Sequence, residues 1–391
     1  MTSGFSGALA GRSTRVSKIR SVEVRALAPD VERFRYTAFQ DEVFTTTTLV
    51  RIEDQDGASG IGAYDSDSYG DWDRAPLETL RTLVPTVVGM DALDHDAVAA
   101  LLTEDGCSPF PPAVRSTIDI ALWDLVSRAA DQPLHVAVGG DPASTSLPSY
   151  ASVAMMDDEV AYLEAIQGWV ARGFGAVKLH AWGDPERDAS LITAVRERFP
   201  SLTLMHDAEC RYSREGAERV ARACADAGVR WFEAPLPDFD LQGYRDLRRQ
   251  VPGVPVIAAG DAVWDPRLMA EVLRDPPWDA MRFDVSFAGG VTAARSLMDV
   301  AADAGIDVEL ISYGHTVIQA ANLHVALAFG RTTYFEQAVP VEPWEHAVRN
   351  PIHTGSDGRA HVPDGAGLGI ELDQDMVEAA TIGRVAAGDP R

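Results

Sequence analysis

Residues 202–236, LTLMHDAECRYSREGAERVARACADAGVRWFEAPL, contain the pattern that decides the fold. An apolar stretch ends in an acid at Asp207, a helix-like segment runs to a glycine, and a second apolar stretch carries an acid at Glu233. From about residue 147 onward this alternation continues through eight strand candidates. It predicts a barrel of parallel strands. A doubly wound sheet is the alternative, but it would normally carry a glycine-rich phosphate turn after its first strand, and the sequence has none.

The chain before residue 147 has a different order, with strand patterns first and helical patterns after them. Residues 20–66 alternate and are rich in β-formers, and helical spacing follows, which predicts a small α+β domain. Residues after 350 return to turn and strand signals. We therefore predict four parts, which are a flexible arm (1–19), a capping domain (20–146), a barrel domain (147–350) and a segment that packs back on the cap (351–391).

Composition limits the function classes. The 34 basic and 59 acidic residues give a formal charge of −25, which argues against nucleic acid or an anionic membrane surface as a partner. The three cysteines are too few and too scattered for a disulfide framework. The sequence shows no secretion-signal pattern and no run near the ~18 apolar residues of a membrane span. We expect a soluble, cytoplasmic protein.

The acids at the predicted strand ends suggest a metal site. Asp207, Glu233 and Asp261 come from three consecutive strands, and the carboxyl ends of barrel strands gather at one mouth. Three bare carboxylates there would repel one another, and a hard divalent cation relieves the repulsion. Oxygen-only ligands favour Mg²⁺, with Mn²⁺ possible. The competing interpretation is that each acid is a solvated loop residue or a helix cap.

Further ionisable residues fall at the other strand ends. Lys178 and His180 are two residues apart and so share one face of a strand. We expect burial and a nearby cation to lower the pKa of Lys178, so that it acts as a base or holds a carboxylate. Asp284 could hydrogen-bond one ring nitrogen of His315 and fix its tautomer. Glu336 could contact a substrate carboxylate, and each of these residues could instead be structural.

These residues resemble the enolase superfamily, in its mandelate racemase-like branch, from about residue 20 to about residue 373. The motifs that carry the resemblance are STIDIALWDLVSRAADQPLHVAVGG (116–140), VKLH (177–180), MHDAE (205–209), WFEAPLP (231–237), AAGD (258–261), DVSFAGGVT (284–292), GHTVIQAANLHVALA (314–328), YFEQ (334–337) and VPDGAGLGIELD (362–373). The resemblance implies an α/β fold, a (β/α)7β-type TIM barrel with an α+β cap completed by the C-terminal segment.

The resemblance also implies the chemistry. Asp207, Glu233 and Asp261 would bind Mg²⁺, Asp284 and His315 would form a base dyad, and Lys178 would lie near the substrate carboxylate. The shared step is abstraction of the proton α to a carboxylate, with the resulting enolate stabilised by the metal and nearby cations. The family resemblance suggests a homo-oligomer, without selecting its size.

Three positions depart from the family pattern. The third metal ligand is usually Glu and here is Asp261, one methylene shorter. The position two residues after the first ligand is commonly Asn and here is Glu209. The second lysine of the Lys-x-Lys strand is replaced by His180, so whether this residue moves a proton or contacts substrate stays open.

The sequence leaves several reactions possible. Two opposed bases suit a racemase or epimerase, a base with an acid suits loss of water, and a lactone cycloisomerase uses the same enolate. The polar segment at 64–74 and the segment at 35–44 are expected to cover the barrel mouth, and they favour a polyhydroxylated substrate. We therefore expect an acid-sugar dehydratase. A Schiff-base aldolase using Lys178 and a catalytically silent barrel are alternatives from other classes.

Overall fold

The first part of the chain builds an α+β cap around an antiparallel sheet. The computed structural model describes residues 18–30, 45–67, 75–104, 111–260 and 265–389. Its first elements are β1 (Ile19–Leu27), β2 (Thr45–Asp54), β3 (Ser59–Asp67), α1 (Ala75–Val87), α2 (His95–Glu104), α3 (Pro112–Ala129) and α4 (Leu134–Ala137). The strands β1, β2 and β3 pair antiparallel in that order, as the sequence pattern predicts.

Helix α3 joins the cap to the barrel, and every residue from 116 to 127 is buried. A Cβ at Gly60 or Gly62 on β3 would lie 2.2 Å from a carbonyl oxygen of α3, so only glycine permits this approach of helix to strand. On its other side, the Asp119 carboxylate accepts the backbone N–H of Thr292 at 3.0 Å. The close packing of β3 on α3 therefore holds the cap together, and the Asp119 hydrogen bond connects α3 to the barrel.

Within the described part of the chain, eight parallel strands form the barrel domain, as predicted. They are β4 (Ser146–Val153), β5 (Ala176–His180), β6 (Thr203–Asp207), β7 (Phe232–Glu233), β8 (Val256–Ile257), β9 (Ala280–Phe283), β10 (Asp307–Leu310) and β11 (Phe335–Val339). Neighbours in the sheet follow the order β10-β9-β8-β7-β6-β5-β4-β11. The sheet curls so that β9 and β4 both approach β11. Glu336 on β11 lies 2.6 Å from Arg282 on β9 and 2.7 Å from Ser152 on β4.

Helices connect successive strands on the outside. They are α5 (Glu159–Ala171), α6 (Pro185–Arg198), α7 (Arg214–Asp226), α8 (Leu241–Gln250), α9 (Pro266–Val272), α10 (Val285–Ala288), α11 (Val291–Ala304) and α12 (Thr316–Phe329). Side chains that accept backbone N–H groups begin α5 to α9, and these are Asp158, Asp184, Ser213, Asp240 and Asp265. These caps fix where each loop at the barrel mouth ends.

The chain then returns to the cap. After β12 (Arg359–His361), helix α13 (Gln374–Ala380) leads into β13 (Thr381–Gly388), which pairs antiparallel with β1. The predicted fold, a barrel with a cap completed by the C-terminal segment, is confirmed, while the domain boundaries stay predictions. None of the helices within the described ranges has the length and apolar character needed to span a bilayer.

Candidate active site

The strand register brings three of the predicted residues side by side. His180 on β5 is paired with Asp207 on β6, and Asp207 is paired with Glu233 on β7. Each is the last residue of its strand, so all three lie at the carboxyl-terminal mouth of the barrel. All three side chains are buried. This is the edge at which barrel enzymes carry their active sites.

The ammonium group of Lys178 lies in the middle of the carboxylates. Its Nζ is 3.0 Å from Asp207, 3.1 Å from Glu233 and 2.9 Å from Glu336. Burial opposes the charged form, but the attraction of Glu233 and Glu336 outweighs it and raises the pKa of Lys178 well above its usual range. The lowered pKa expected from the sequence is therefore corrected: three carboxylates match the three N–H donors and keep this lysine charged.

Asp207 and Glu233 are buried acids at paired positions of neighbouring strands, and the charge of Asp207 contributes to raising the pKa of Glu233. Burial raises the pKa of Glu233 to about 8. Burial also opposes ionisation of Asp207, but the charge of Lys178 outweighs it and holds the pKa of Asp207 well below its usual range. A carboxyl group with a raised pKa can exchange its proton for a hard cation, so the adjacent oxygen donors of Asp207 and Glu233 fit Mg²⁺ or Mn²⁺.

The third predicted ligand, Asp261, lies outside the described residues. Among the residues that are described, no group of three or more His, Cys, Asp or Glu side chains could hold a metal ion. The predicted set therefore stands as two placed carboxylates and one residue beyond the described ranges. Glu209 follows the first carboxylate in a left-handed conformation with φ of 49°, and its N–H donates to Asp207 at 2.9 Å.

A buried arginine that the sequence reasoning missed completes the charge cluster. Arg282 on β9 lies 2.6 Å from Glu233 and 2.6 Å from Glu336, and its side chain is 1% exposed. Although burial opposes ionisation, Lys178 and Arg282 lower the pKa of Glu336 to about 2. The signal was present in the sequence, because Arg282 stands two residues before Asp284 and alternate strand residues share a face. Glu336 is held between two cations at the site.

His180 is fixed in one tautomer. Its Nδ1 donates to the carbonyl oxygen of Val153 at 2.7 Å, so the neutral ring carries its lone pair on Nε2. That nitrogen lies 3.7 Å from Asp207. Burial, together with the charge of Lys178, lowers the pKa of His180 and keeps the ring neutral. The arrangement is that of a base whose accepting nitrogen faces the carboxylates.

The predicted hydrogen bond between Asp284 and His315 is wrong for this structure. His315 donates from Nε2 to the carbonyl oxygen of His346 at 2.9 Å and accepts the N–H of Val317 at Nδ1 at 3.3 Å. Asp284 instead begins α10 and accepts the side-chain amide of Asn322 at 3.1 Å. Each of the two predicted partners begins a helix, and its side chain accepts a backbone N–H of that helix. Burial lowers the pKa of His315 to about 4 and raises that of Asp284 to about 7.

Only a small part of the two segments expected to cover the mouth lies within the described residues. Residues 35–44 lie outside the described residues, and so does the 68–74 portion of the 64–74 segment. Strand β3, which leads into the second segment, lies within the described residues. There Tyr64 packs edge-on against Phe287, with ring centroids 5.5 Å apart. The cap therefore reaches the barrel mouth at this point.

Family models match most of the chain. The model described as "Enolase C-terminal domain-like" matches residues 161–376, and the model described as "Mandelate racemase / muconate lactonizing enzyme, N-terminal domain" matches residues 21–139. Similar characterised proteins include dehydratases, epimerases and cycloisomerases. One is the 3,6-anhydro-alpha-L-galactonate cycloisomerase of Streptomyces coelicolor, which is 30% identical over 87% of this chain and 91% of its own length.

Solved structures agree with this placement. A crystal structure described as a mandelate racemase/muconate lactonizing enzyme from Pseudovibrio sp. is 31% identical, with a TM-score of 0.90 over 95% of this chain and 99% of that chain. The L-talarate/galactarate dehydratase of Salmonella typhimurium LT2, solved with Mg and L-lyxarohydroxamate, shares the fold at a TM-score of 0.85, 22% identity and 96% coverage of both chains. The chain is an enzyme that belongs to the enolase superfamily, in its mandelate racemase/muconate lactonizing enzyme branch.

Proposed function

We propose that this enzyme removes the proton α to the carboxylate of an acid sugar and eliminates water, giving a 2-keto-3-deoxy acid. The observation that carries the proposal is the position of His180, a neutral base of fixed tautomer 3.7 Å from Asp207 and beside the Asp207–Glu233 carboxyl pair. A base next to oxygen ligands suits metal-assisted proton abstraction better than Schiff-base chemistry, for which the ion-paired Lys178 is too firmly charged.

The carboxyl groups of Asp207, Glu233 and Asp261 would hold the cation, which we infer to be Mg²⁺ with Mn²⁺ as an alternative. When bound, the cation would act as a Lewis acid that stabilises negative charge on the substrate carboxylate. Lys178 adds a fixed positive charge beside the same carboxylates. Arg282 contacts Glu233 at 2.6 Å, so this metal-binding side chain does not depend on the cation for its orientation.

The proton steps balance with two histidines. His180 takes the α-proton on Nε2, and the electron pair of the C–H bond moves into the enolate. That pair then forms the C2–C3 double bond as the C3–O bond breaks. The leaving hydroxide takes a proton from His315 and departs as water. The remaining enol then becomes the ketone. To supply this proton, His315 must first take up a proton from solvent on Nδ1, which replaces the 3.3 Å hydrogen bond that Nδ1 accepts from the Val317 N–H.

The substrate class is supported by the relatives, because several act on sugar acids or their lactones according to their names. In a 3,6-anhydro sugar acid the same elimination would break the C3–O bond of the ring, so a cycloisomerase is the second candidate. Epimerases among the relatives keep the return of the proton to the opposite face as a third outcome. The cytoplasmic location and the homo-oligomer stay predictions.

The test follows the α-proton in D₂O. The protein is incubated with Mg²⁺ and a panel of mono- and diacid sugars and 3,6-anhydro acids, and ¹H NMR records loss of the α-proton and formation of a 3-deoxy-2-keto product. We expect wild type to form the keto acid. A new diastereomer that carries deuterium, without keto product, would mean epimerisation instead. No reaction with any member of the panel would remove the acid-sugar assignment.

Variants assign the two histidines. His180→Asn should lower α-proton exchange by at least about 100-fold, the usual contribution of a general base. His315→Asn should keep the exchange and lose the elimination. His361→Asn is the matched control, since that ring is about half exposed and pairs with Asp357 away from the site. Exchange that survives in His180→Asn and disappears in His315→Asn would reverse the two roles.

A further inference from the structure

A carboxylate of the cap reaches the segment that carries His315. Asp65 lies on β3 and is 8% exposed. Its Oδ2 accepts the backbone N–H of His315, a residue 250 positions away in the chain. Its Oδ1 accepts the hydroxyl of Thr47 on β2 at 2.6 Å. Both oxygens of this buried acid are thus engaged, one within the cap and one across the boundary between cap and barrel.

The barrel side of this contact is shaped to admit the carboxylate. Gly314 has φ of +100°, and a Cβ built at this position would lie 2.7 Å from Asp65 Oδ2. Glycine therefore serves two needs here, the left-handed backbone and the space for the acid. A residue with a side chain at position 314 would push the carboxylate away from the N–H that it accepts.

The His315 backbone N–H needs an acceptor from outside its own helix. His315 is the residue that begins α12, and the first N–H groups of a helix have no partner within it. A carboxylate at a helix start also interacts favourably with the helix dipole. On its other side the imidazole donates to the His346 carbonyl, and the two rings lie 4.6 Å apart between centroids. His315 is therefore held between the cap and the loop that follows β11.

We propose that Asp65 is a positioning residue of this enzyme, because it fixes the backbone of His315 and so makes the proton-transfer site depend on the docked cap. The inference rests on the role proposed above for His315. The cap then contributes to the chemistry through Asp65 on β3, whose carboxylate accepts the His315 N–H. A displacement of about 1 Å at a reacting group can lower a rate by about 100-fold, so one lost anchor is sufficient to be measured.

The first experiment measures the anchor itself. Hydrogen exchange followed by mass spectrometry compares the segment 312–320 in wild type, Asp65→Ala and Asp65→Asn. We expect exchange in this segment to rise about 10-fold or more in Asp65→Ala and to stay near wild type in Asp65→Asn, whose carbonyl oxygen can still accept the His315 N–H. Unchanged exchange in Asp65→Ala, or a rise spread evenly over cap and barrel, would overturn the proposal.

Kinetics provide the second readout and a matched control. Asp65→Ala should lower kcat by about 10- to 100-fold with little change in KM, and Asp65→Asn should recover most of it. Thr47→Val, which removes the hydrogen bond to Asp65, should give a smaller loss of the same kind. Thr48→Val removes from the same strand a buried hydroxyl that has no hydrogen-bond partner among the described residues, and it should leave kcat unchanged. Equal losses in Thr47→Val and Thr48→Val would contradict the assignment.

The two readouts separate this inference from the proposed reaction. If no acid sugar reacts but exchange rises only in the 312–320 segment of Asp65→Ala, the anchor stands and the reaction is wrong. If elimination is observed but neither exchange nor kcat responds to Asp65→Ala, the reaction stands and the anchor is wrong. Should Asp65→Ala fail to fold, Thr47→Val still decides the question, because it leaves the carboxylate in place and loosens it.

Discussion

Replacing Arg282 by methionine should destabilise the barrel strongly. The guanidinium is 1% exposed and contacts both Glu233 and Glu336 at 2.6 Å. With Lys178 and Asp207 included, the cluster has three carboxyl groups and two cations, so the loss of Arg282 makes its net charge more negative by one unit. Removing one partner of a buried ion pair typically costs about 3–5 kcal/mol, because the other charge is left uncompensated.

The assay is thermal unfolding without added metal. For a domain of this size, each kcal/mol corresponds to a change in Tm of about 2–4 °C, so Arg282→Met should lower Tm by about 6–20 °C. Arg214→Met is the control, since Arg214 pairs with Asp240 and is 56% exposed. Such a surface pair contributes about 0–1 kcal/mol. The double variant Arg282→Met/Glu336→Gln should recover part of the loss, because it also removes one of the stranded charges.

Two results would refute this reasoning. A loss below about 1 kcal/mol, or equal to that of Arg214→Met, would mean that water or rearrangement compensates the buried acids. A double variant that is less stable than Arg282→Met would mean that packing, rather than charge, governs the effect. In either case the buried charge cluster would not be the electrostatic unit described above.

The remaining predictions concern pH and metal. Because the pKa of Asp284 is raised to about 7, the folded state keeps a proton that the unfolded state loses near pH 4, so this group reduces stability as pH rises between those values. Asp284→Asn should therefore lose about 2–3 kcal/mol less than wild type between pH 5 and pH 8 by denaturant unfolding, and equal losses would contradict the buried acid. Incubation with EDTA followed by desalting should abolish α-proton exchange, and added Mg²⁺ or Mn²⁺ should restore it. Full exchange after chelation would show that the carboxyl pair works without a cation.

The sequence predicts the fold well because the fold depends on local patterns. Acids interrupt apolar runs at Asp207 and Glu233, and the strand period and helix caps determine where each element begins and ends. The register then follows from the barrel, so His180, Asp207 and Glu233 become neighbours without further information. Lys178 and Glu336 were also selected from strand position, and the structure pairs them with each other at 2.9 Å.

The partners of each side chain were harder to predict, because they depend on contacts distant in sequence. The charge state of Lys178 depends on Glu336, which lies on a strand far along the chain. The His315 ring is occupied by His346 and Val317, and neither contact has a pattern in the sequence. The anchor at Asp65 joins residues 250 positions apart and is recognised only when the cap and the barrel are seen together.

The pairing of β13 with β1 has a consequence for synthesis. The strand that completes the cap sheet is made after the whole barrel, so on the ribosome β1 waits for its partner while roughly 350 residues are added. At ~5–20 residues per second this takes roughly 20–70 s. During that time one edge of the nascent sheet is open, and open edges invite pairing with other chains. The protein is therefore most prone to pairing with other chains before β13 is translated. Expression at a lower concentration of unfinished chains should favour the folded product.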